Sequence, residues 1–155
     1  MQATMTPFIR WAIRRDLITI IEIENLSFEY PWSEQQFVNS LRQRNVIAQV
    51  AEVDEEVVGY IVYCLHKDRI DIWNLAVHPD YRRQHVGSAL VEHLKRKLSF
   101  QRRKYLLTEV RERNLEAQQF FASCDLKAVE IMRDYYDDTD EDCYVFEFKI
   151  GDDLW

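Results

Sequence analysis

One run, NLAVHPDYRRQHVGSALVEHLKRKL from Asn74 to Leu98, constrains the fold of this chain more than any other. It closes an apolar segment fed by Ile70, Ile72 and Trp73, turns at His78-Pro79-Asp80, and leaves through an arginine-rich bend into an amphipathic stretch. Val86, Ala89, Leu90, Leu94 and Leu98 recur at helical intervals, which predicts a helix with one stripe facing a core. Its start falls between Gln84 and Gly87. A helix begins with backbone N–H groups that have no partner in the helix and sit at the positive end of its dipole. With Arg82 and Arg83 beside them, these amides form a cradle suited to phosphate. Two readings follow: a site for a phosphorylated cofactor, or an ordinary strand-loop-helix unit with a basic loop.

The remaining segments surround this run. Phe8, Trp11 and Ile13 mark a first strand. Asp16 opens a helix whose turns fall at Leu17, Ile20, Ile21, Glu24 and Ser27, ending before Tyr30-Pro31. Ser33 and Gln36 make a capping box flanked by Trp32 and Phe37 in the staple positions, so a second helix runs through Leu41 to about Gln43. Val46–Val53 and Val57–Leu65 are β-rich runs joined by Asp54-Glu55-Glu56, a polar turn of hairpin length. Gly59 within the second run marks a packing or bulge position. Ile70–Val77 is the next strand. After the central helix, Tyr105–Val110 reads as a strand, Asn114 starts a short helix ending near Ser123, and Leu126–Met132 and Tyr144–Ile150 read as antiparallel strands around an acidic loop. The order is β-α-α-β-β-β-α-β-α-β-β, an α/β (α+β) mixed sheet in one domain spanning residues 1–155. Residues 151–155 are a short tail, frayed or with Trp155 tucked against the domain.

The 155 residues are 47% hydrophobic, enough for one core, and the net charge of -7 argues against general nucleic-acid binding. Charge is unevenly placed. Lys/Arg occupy 82, 83, 95, 96, 97, 102, 103 and 104 against Glu92, while acids occupy 134, 137, 138, 140, 141, 142, 147, 152 and 153 against Lys149. One segment suits an anionic cofactor and the other a cationic substrate, or both are solvated surfaces. Cys64, Cys124 and Cys143 are odd in number with no paired spacing, which fits a reducing cytoplasm and no zinc site. His66, His78, His85 and His93 are scattered, so no metal site is expected. Arg10, Arg14 and Arg15 interrupt the N-terminal apolar residues, and no membrane span is expected.

Four segments carry a family resemblance: NLAVHPDYRRQHVGSALVEHL, PWSEQQF at 31–37, TEVRERN at 108–114 and RDYYDDTDED at 133–142. The first resembles the acetyl-CoA motif of the GCN5-related N-acetyltransferase (GNAT) superfamily. All four, in the order in which they lie along the chain, resemble the RimI-type protein N-terminal acetyltransferases. The resemblance implies that Leu75, Ala76 and Val77 offer backbone groups to the pantetheine where their strand and the next splay apart. It implies that Arg82, Arg83, Gln84, His85, Val86, Gly87 and Ser88 hold the pyrophosphate. Asn114 matches an asparagine that contacts the cofactor, and is equally a helix cap. Two positions depart from the family pattern. His85 stands at the first glycine of the phosphate loop, where a side chain can crowd a pyrophosphate. Phe121 stands at the usual tyrosine general acid and cannot donate a proton.

The implied reaction is attack of a neutral amine on a thioester, with no covalent enzyme intermediate and hence no role for Cys124 as a nucleophile. An α-amine with pKa near 7.8 is neutral roughly one time in ten at pH 7, and a lysine near 10.4 about once in 2,500. A protein N-terminus is thus the less demanding acceptor, by roughly 3.5 kcal/mol. Glu109 matches the family's general base, or is a strand-end carboxylate paired with Arg111 or Arg113. Tyr135 or Tyr136 could replace the missing acid, or both could be pocket walls. A thiol leaving group with a pKa of roughly 8.5 departs with little help in either case. The implied acceptor groove lies between Phe28–Trp32, with Tyr30 and Trp32 as walls, and the 134–142 loop, where Asp134, Asp137 and Asp138 draw the ammonium and Tyr135 adds a wall. The acceptor is expected to be a protein N-terminus, with that of a ribosomal protein as one candidate, and the enzyme a monomer or weak dimer. The alternatives are an acetyltransferase of a small amine or lysine, and a weakly catalytic acetyl-CoA sensor or partner subunit.

Overall fold

The β-rich apolar runs of residues 46–53 and 57–65 close into a hairpin because Asp54 and Glu55 both adopt left-handed backbone, φ 51° and 67°. That conformation matches the twist of a tight two-residue turn. In the computed structural model, which describes residues 6–151, β1 (Phe8–Trp11), β2 (Val46–Val53) and β3 (Glu56–Leu65) pair antiparallel in sequence. The hairpin slips register between Ala51 and Glu52, opposite Gly59. A Cβ added at Gly59 would lie 3.2 Å from both the carbonyl oxygen of Ala76 and Cγ1 of Val86. The extra residue is Val58, so Gly59 borders the bulge, and the close contacts make it a packing position.

The remaining elements are α1 (Leu17–Ser27), α2 (Glu34–Leu41), β4 (Arg69–Val77), α3 (Val86–Lys95), β5 (Tyr105–Arg111), α4 (Leu115–Ser123), β6 (Lys127–Met132) and β7 (Cys143–Lys149). The seven strands form one mixed sheet in the order β1-β2-β3-β4-β5-β7-β6, which is the expected fold class. Boundaries differ from the sequence expectation in physically clear ways. The first strand stops at Trp11, because Arg14–Asp16 form a 3-10 turn. Asp16 serves there as the partner of Arg10, at 2.7 and 2.9 Å. α3 ends at Lys95, and the chain then tightens through hydrogen bonds from Lys97 to Leu94 and from Leu98 to Lys95. Leu98 is buried even so. The fate of Trp155 lies outside the described residues.

Two compact units interleave along the chain. One comprises the described residues up to Leu65 together with Asn74–His93. Its core joins Ile20 and Ile23 of α1, Phe37 of α2, and Val46, Ala48, Val50, Tyr60, Val62, Cys64 and Ala76 of the strands. The other comprises His66–Trp73 and the described residues from Leu94 onward. Here β4 runs parallel to β5 from Arg69↔Tyr105 to Ile72↔Thr108, and β5 and β6 both pair antiparallel with β7.

Candidate functional site

In the first unit, β4 runs on past the last residue registered with β5, Ile72, to Leu75, Ala76 and Val77. A 3-10 turn over Pro79–Tyr81 follows, with Nδ1 of His78 accepting from the Asp80 amide at 3.1 Å. Arg82 folds back so that Nε donates to the Val77 carbonyl at 3.2 Å and Nη2 to the Ser27 hydroxyl at 3.2 Å. Gln84 donates to the Asp80 carbonyl. Arg83 and His85 both take left-handed backbone, φ 62° and 63°. His85 thus occupies the backbone conformation for which glycine is suited, and histidine tolerates that region better than most side chains. Its carbonyl accepts from the Ala89 amide at 3.0 Å, opening α3, and from the Ser88 hydroxyl at 3.1 Å. The amides of Val86, Gly87 and Ser88 precede that first helical bond, so the loop and helix end present donors as an anion cradle does.

The same unit holds Tyr30 and Trp32. Tyr30 is 45% exposed, whereas Trp32 stacks edge-on against Phe37 at 5.1 Å between centroids. The capping box is complete: the Gln36 amide donates to the Ser33 hydroxyl at 3.1 Å, and Gln36 Oε1 accepts from the Ser33 amide at 2.8 Å. The Trp32 amide donates to Glu24 at 2.9 Å. That carboxylate also accepts from the Tyr60 hydroxyl and from Asn74 Nδ2, the latter at 2.6 Å. Sequence reasoning passed over Tyr60, Asn74 and the role of Glu24. The available signal was a carboxylate on the same helical face as Ile20 and Ile23.

In the second unit, Glu109 is exposed near the end of β5. Its partners come from the β6–β7 connection and from β7. The Tyr135 hydroxyl hydrogen-bonds the carboxylate, which with burial pushes that phenol up to about 12. The buried Cys143 thiol lies 3.9 Å from Oε2 and is pushed up by burial. The Tyr136 hydroxyl donates to Cys143 Sγ at 3.8 Å, and burial raises its pKa too. Both phenols stay protonated at neutral pH. Both are poorer proton donors to a thiolate than an ordinary tyrosine.

Arg111 is not the partner of Glu109. It binds both oxygens of Asp138, at 3.0 and 2.9 Å, reaches Thr139 and Glu141, and lies 4.0 Å above the Tyr136 ring. Asp138 is therefore committed to arginine rather than open to an incoming ammonium. Asp134 is exposed, with its amide held by Asp142 at 2.9 Å. Asn114 caps α4, its Oδ1 accepting from the Ala117 amide at 3.1 Å. Phe121 is 6% exposed and packs edge-on against Phe120, so a phenyl ring, not a hydroxyl, fills this part of the unit. Cys124 is likewise buried. Among the described residues no group of histidine, cysteine and carboxylate side chains could hold a metal ion, and no helix is long and apolar enough to cross a membrane.

A mixed seven-stranded sheet with a basic strand-loop-helix turn and a strand-end glutamate is the arrangement of an N-acetyltransferase. The acetyltransferase (GNAT) family pattern matches residues 17–126, and the chain belongs to this family. It is 31% identical, over 88% of its length and 93% of the relative, to the [ribosomal protein bS18]-alanine N-acetyltransferase of Escherichia coli strain K12. It is 30% identical to an N-alpha-acetyltransferase of Sulfurisphaera tokodaii, over 88% of this chain and 89% of that one. The crystal structure of the ribosomal-protein-S18-alanine N-acetyltransferase from Escherichia coli superposes with a TM-score of 0.81 at 28% identity, covering 97% of this chain and 99% of the other.

Proposed function

We propose that this acetyltransferase takes acetyl from acetyl-CoA and places it on the free α-amine of a protein N-terminus. The names of its relatives point to a ribosomal protein as acceptor. The single observation that carries the reading is Glu109: an exposed carboxylate, held by Tyr135 and Cys143 while the nearby Arg111 is engaged elsewhere.

The residues present fit the donor. The amides of Val86–Ser88, the left-handed turns at Arg83 and His85, and the two arginines suit a pyrophosphate. Backbone groups of Leu75–Val77 suit the amides of a pantetheine arm, and Asn114 has a side-chain NH2 left over after capping α4. Acetyl-CoA supplies the acyl group as a thioester. Glu109 removes the ammonium proton of the acceptor, directly or through water. Tyr135 keeps the carboxylate oriented rather than serving as acid, since a phenol at about 12 gives up its proton reluctantly to a thiolate. The thiolate leaves without a dedicated acid, in keeping with the buried phenyl of Phe121. The enzyme acts as one domain, monomeric or weakly dimeric, in the cytoplasm.

Thiol release from acetyl-CoA, measured with short peptides bearing free or acetylated N-termini, tests the proposal. Release confined to free N-termini and lost in Glu109→Gln is the expected result. Binding of acetyl-CoA without release to any peptide overturns the acceptor assignment.

A further inference from the structure

Glu24 sits in the core face of α1 at 1% exposure, among Ile20 and Ile23. A carboxylate so placed is unfavourable unless its oxygens are fully met, and an apolar side chain of similar size would serve the packing as well. Here the oxygens are met by three neutral donors from three separate stretches: the Tyr60 hydroxyl of β3, Asn74 Nδ2 of β4 at 2.6 Å, and the Trp32 amide at 2.9 Å. The Tyr60 phenol is pushed far up by burial and then by the Glu24 charge, so it remains a donor at any working pH. What the carboxylate adds over an apolar residue is a fixed relation between the backbone at Trp32 and the strand at Asn74. Asn74 immediately precedes Leu75–Val77, and Trp32 immediately precedes the Ser33 cap of α2.

We infer that Glu24 is a positioning residue for acetyl transfer. It ties the segment carrying Tyr30 and Trp32, the proposed acceptor wall, to the strand whose backbone receives the pantetheine, so that seating of the donor orders the wall. The inference rests on the proposed function, and its test has a readout that does not require turnover.

Tyr60→Phe keeps the ring that packs edge-on against Phe37 and removes one donor; Asn74→Ala removes another. On the full chain, amide exchange at Trp32 is expected to quicken about tenfold in either variant, the effect of losing one buried hydrogen bond. Acetyl-CoA is expected to slow that exchange in the wild type and not in Asn74→Ala. In rate assays Tyr60→Phe is expected to raise KM for a free-N-terminus peptide roughly five- to tenfold with kcat within about twofold. Unchanged exchange at Trp32 in both variants overturns the inference. So does faster exchange with unchanged KM, which would make the cluster a structural brace alone. If the wild type acetylates no peptide, the functional reading fails by itself, and the response of Trp32 exchange to acetyl-CoA then decides whether the coupling exists.

Discussion

At the scale of single residues, reactivity is set by neighbours that the primary sequence does not place side by side. Glu109→Gln is expected to lower kcat by about 10² to 10⁴ while leaving the dissociation constant for acetyl-CoA unchanged, as loss of a general base requires. Equal turnover across a range of pH would remove Glu109 from the reaction. For Tyr135→Phe, steady-state kinetics should show a loss of less than about tenfold, because the hydroxyl orients the base; a loss of about 10² or more would mark it as an acid after all. His85→Gly releases a side chain from left-handed backbone at φ 63°, and its effect should appear as a lower dissociation constant for acetyl-CoA by isothermal titration. The segments bearing these residues were legible. Glu109 stands out as an acid at a strand end, and the basic loop stands out by composition. The engagement of Arg111 with Asp138 was not legible, because only the register of β5 with β7 brings a residue of TEVRERN against the acidic loop.

Among the elements, local chemistry decided the boundaries wherever it was strong. The Ser33 cap, the Trp32–Phe37 staple and the Asn114 cap all stand where the sequence placed them, since each is closed by partners within a few residues. Glu24 escaped notice for the opposite reason: its partners lie at positions 32, 60 and 74, and only the fold collects them. The β2–β3 turn offers a test of element stability. Asp54 and Glu55 both hold φ above zero, where an Asn-Gly pair is favoured, so Glu55→Gly is expected to stabilise by about 0.5–1 kcal/mol and raise Tm by roughly 2–4 °C in thermal melts. A lower Tm would show that the Glu55 side chain makes a compensating contribution.

For the whole molecule, acid sensitivity is built into both units. Asp16 is held below the usual carboxylate range chiefly by the Arg10 guanidinium, against a burial that acts the other way. At Glu141 burial pulls upward, yet the Thr139 hydroxyl, the Arg113 amide and the charges of Arg111 and Arg113 bring it down. A carboxylate depressed in the folded state contributes its stabilisation in full above the ordinary range near pH 4 and loses it as pH falls toward the folded value. Melting temperature is therefore expected to drop below about pH 4, and Arg10→Ala should flatten that drop by removing the main cause at Asp16. The interleaving of the units has a different consequence. The chain passes from one to the other after Leu65, back after Trp73, and across again after His93, so no uninterrupted stretch encodes either unit. A gene cut at any single codon therefore cannot deliver the two units on separate fragments. Exchanging halves with a relative would therefore demand three splice junctions, one of them inside β4 itself.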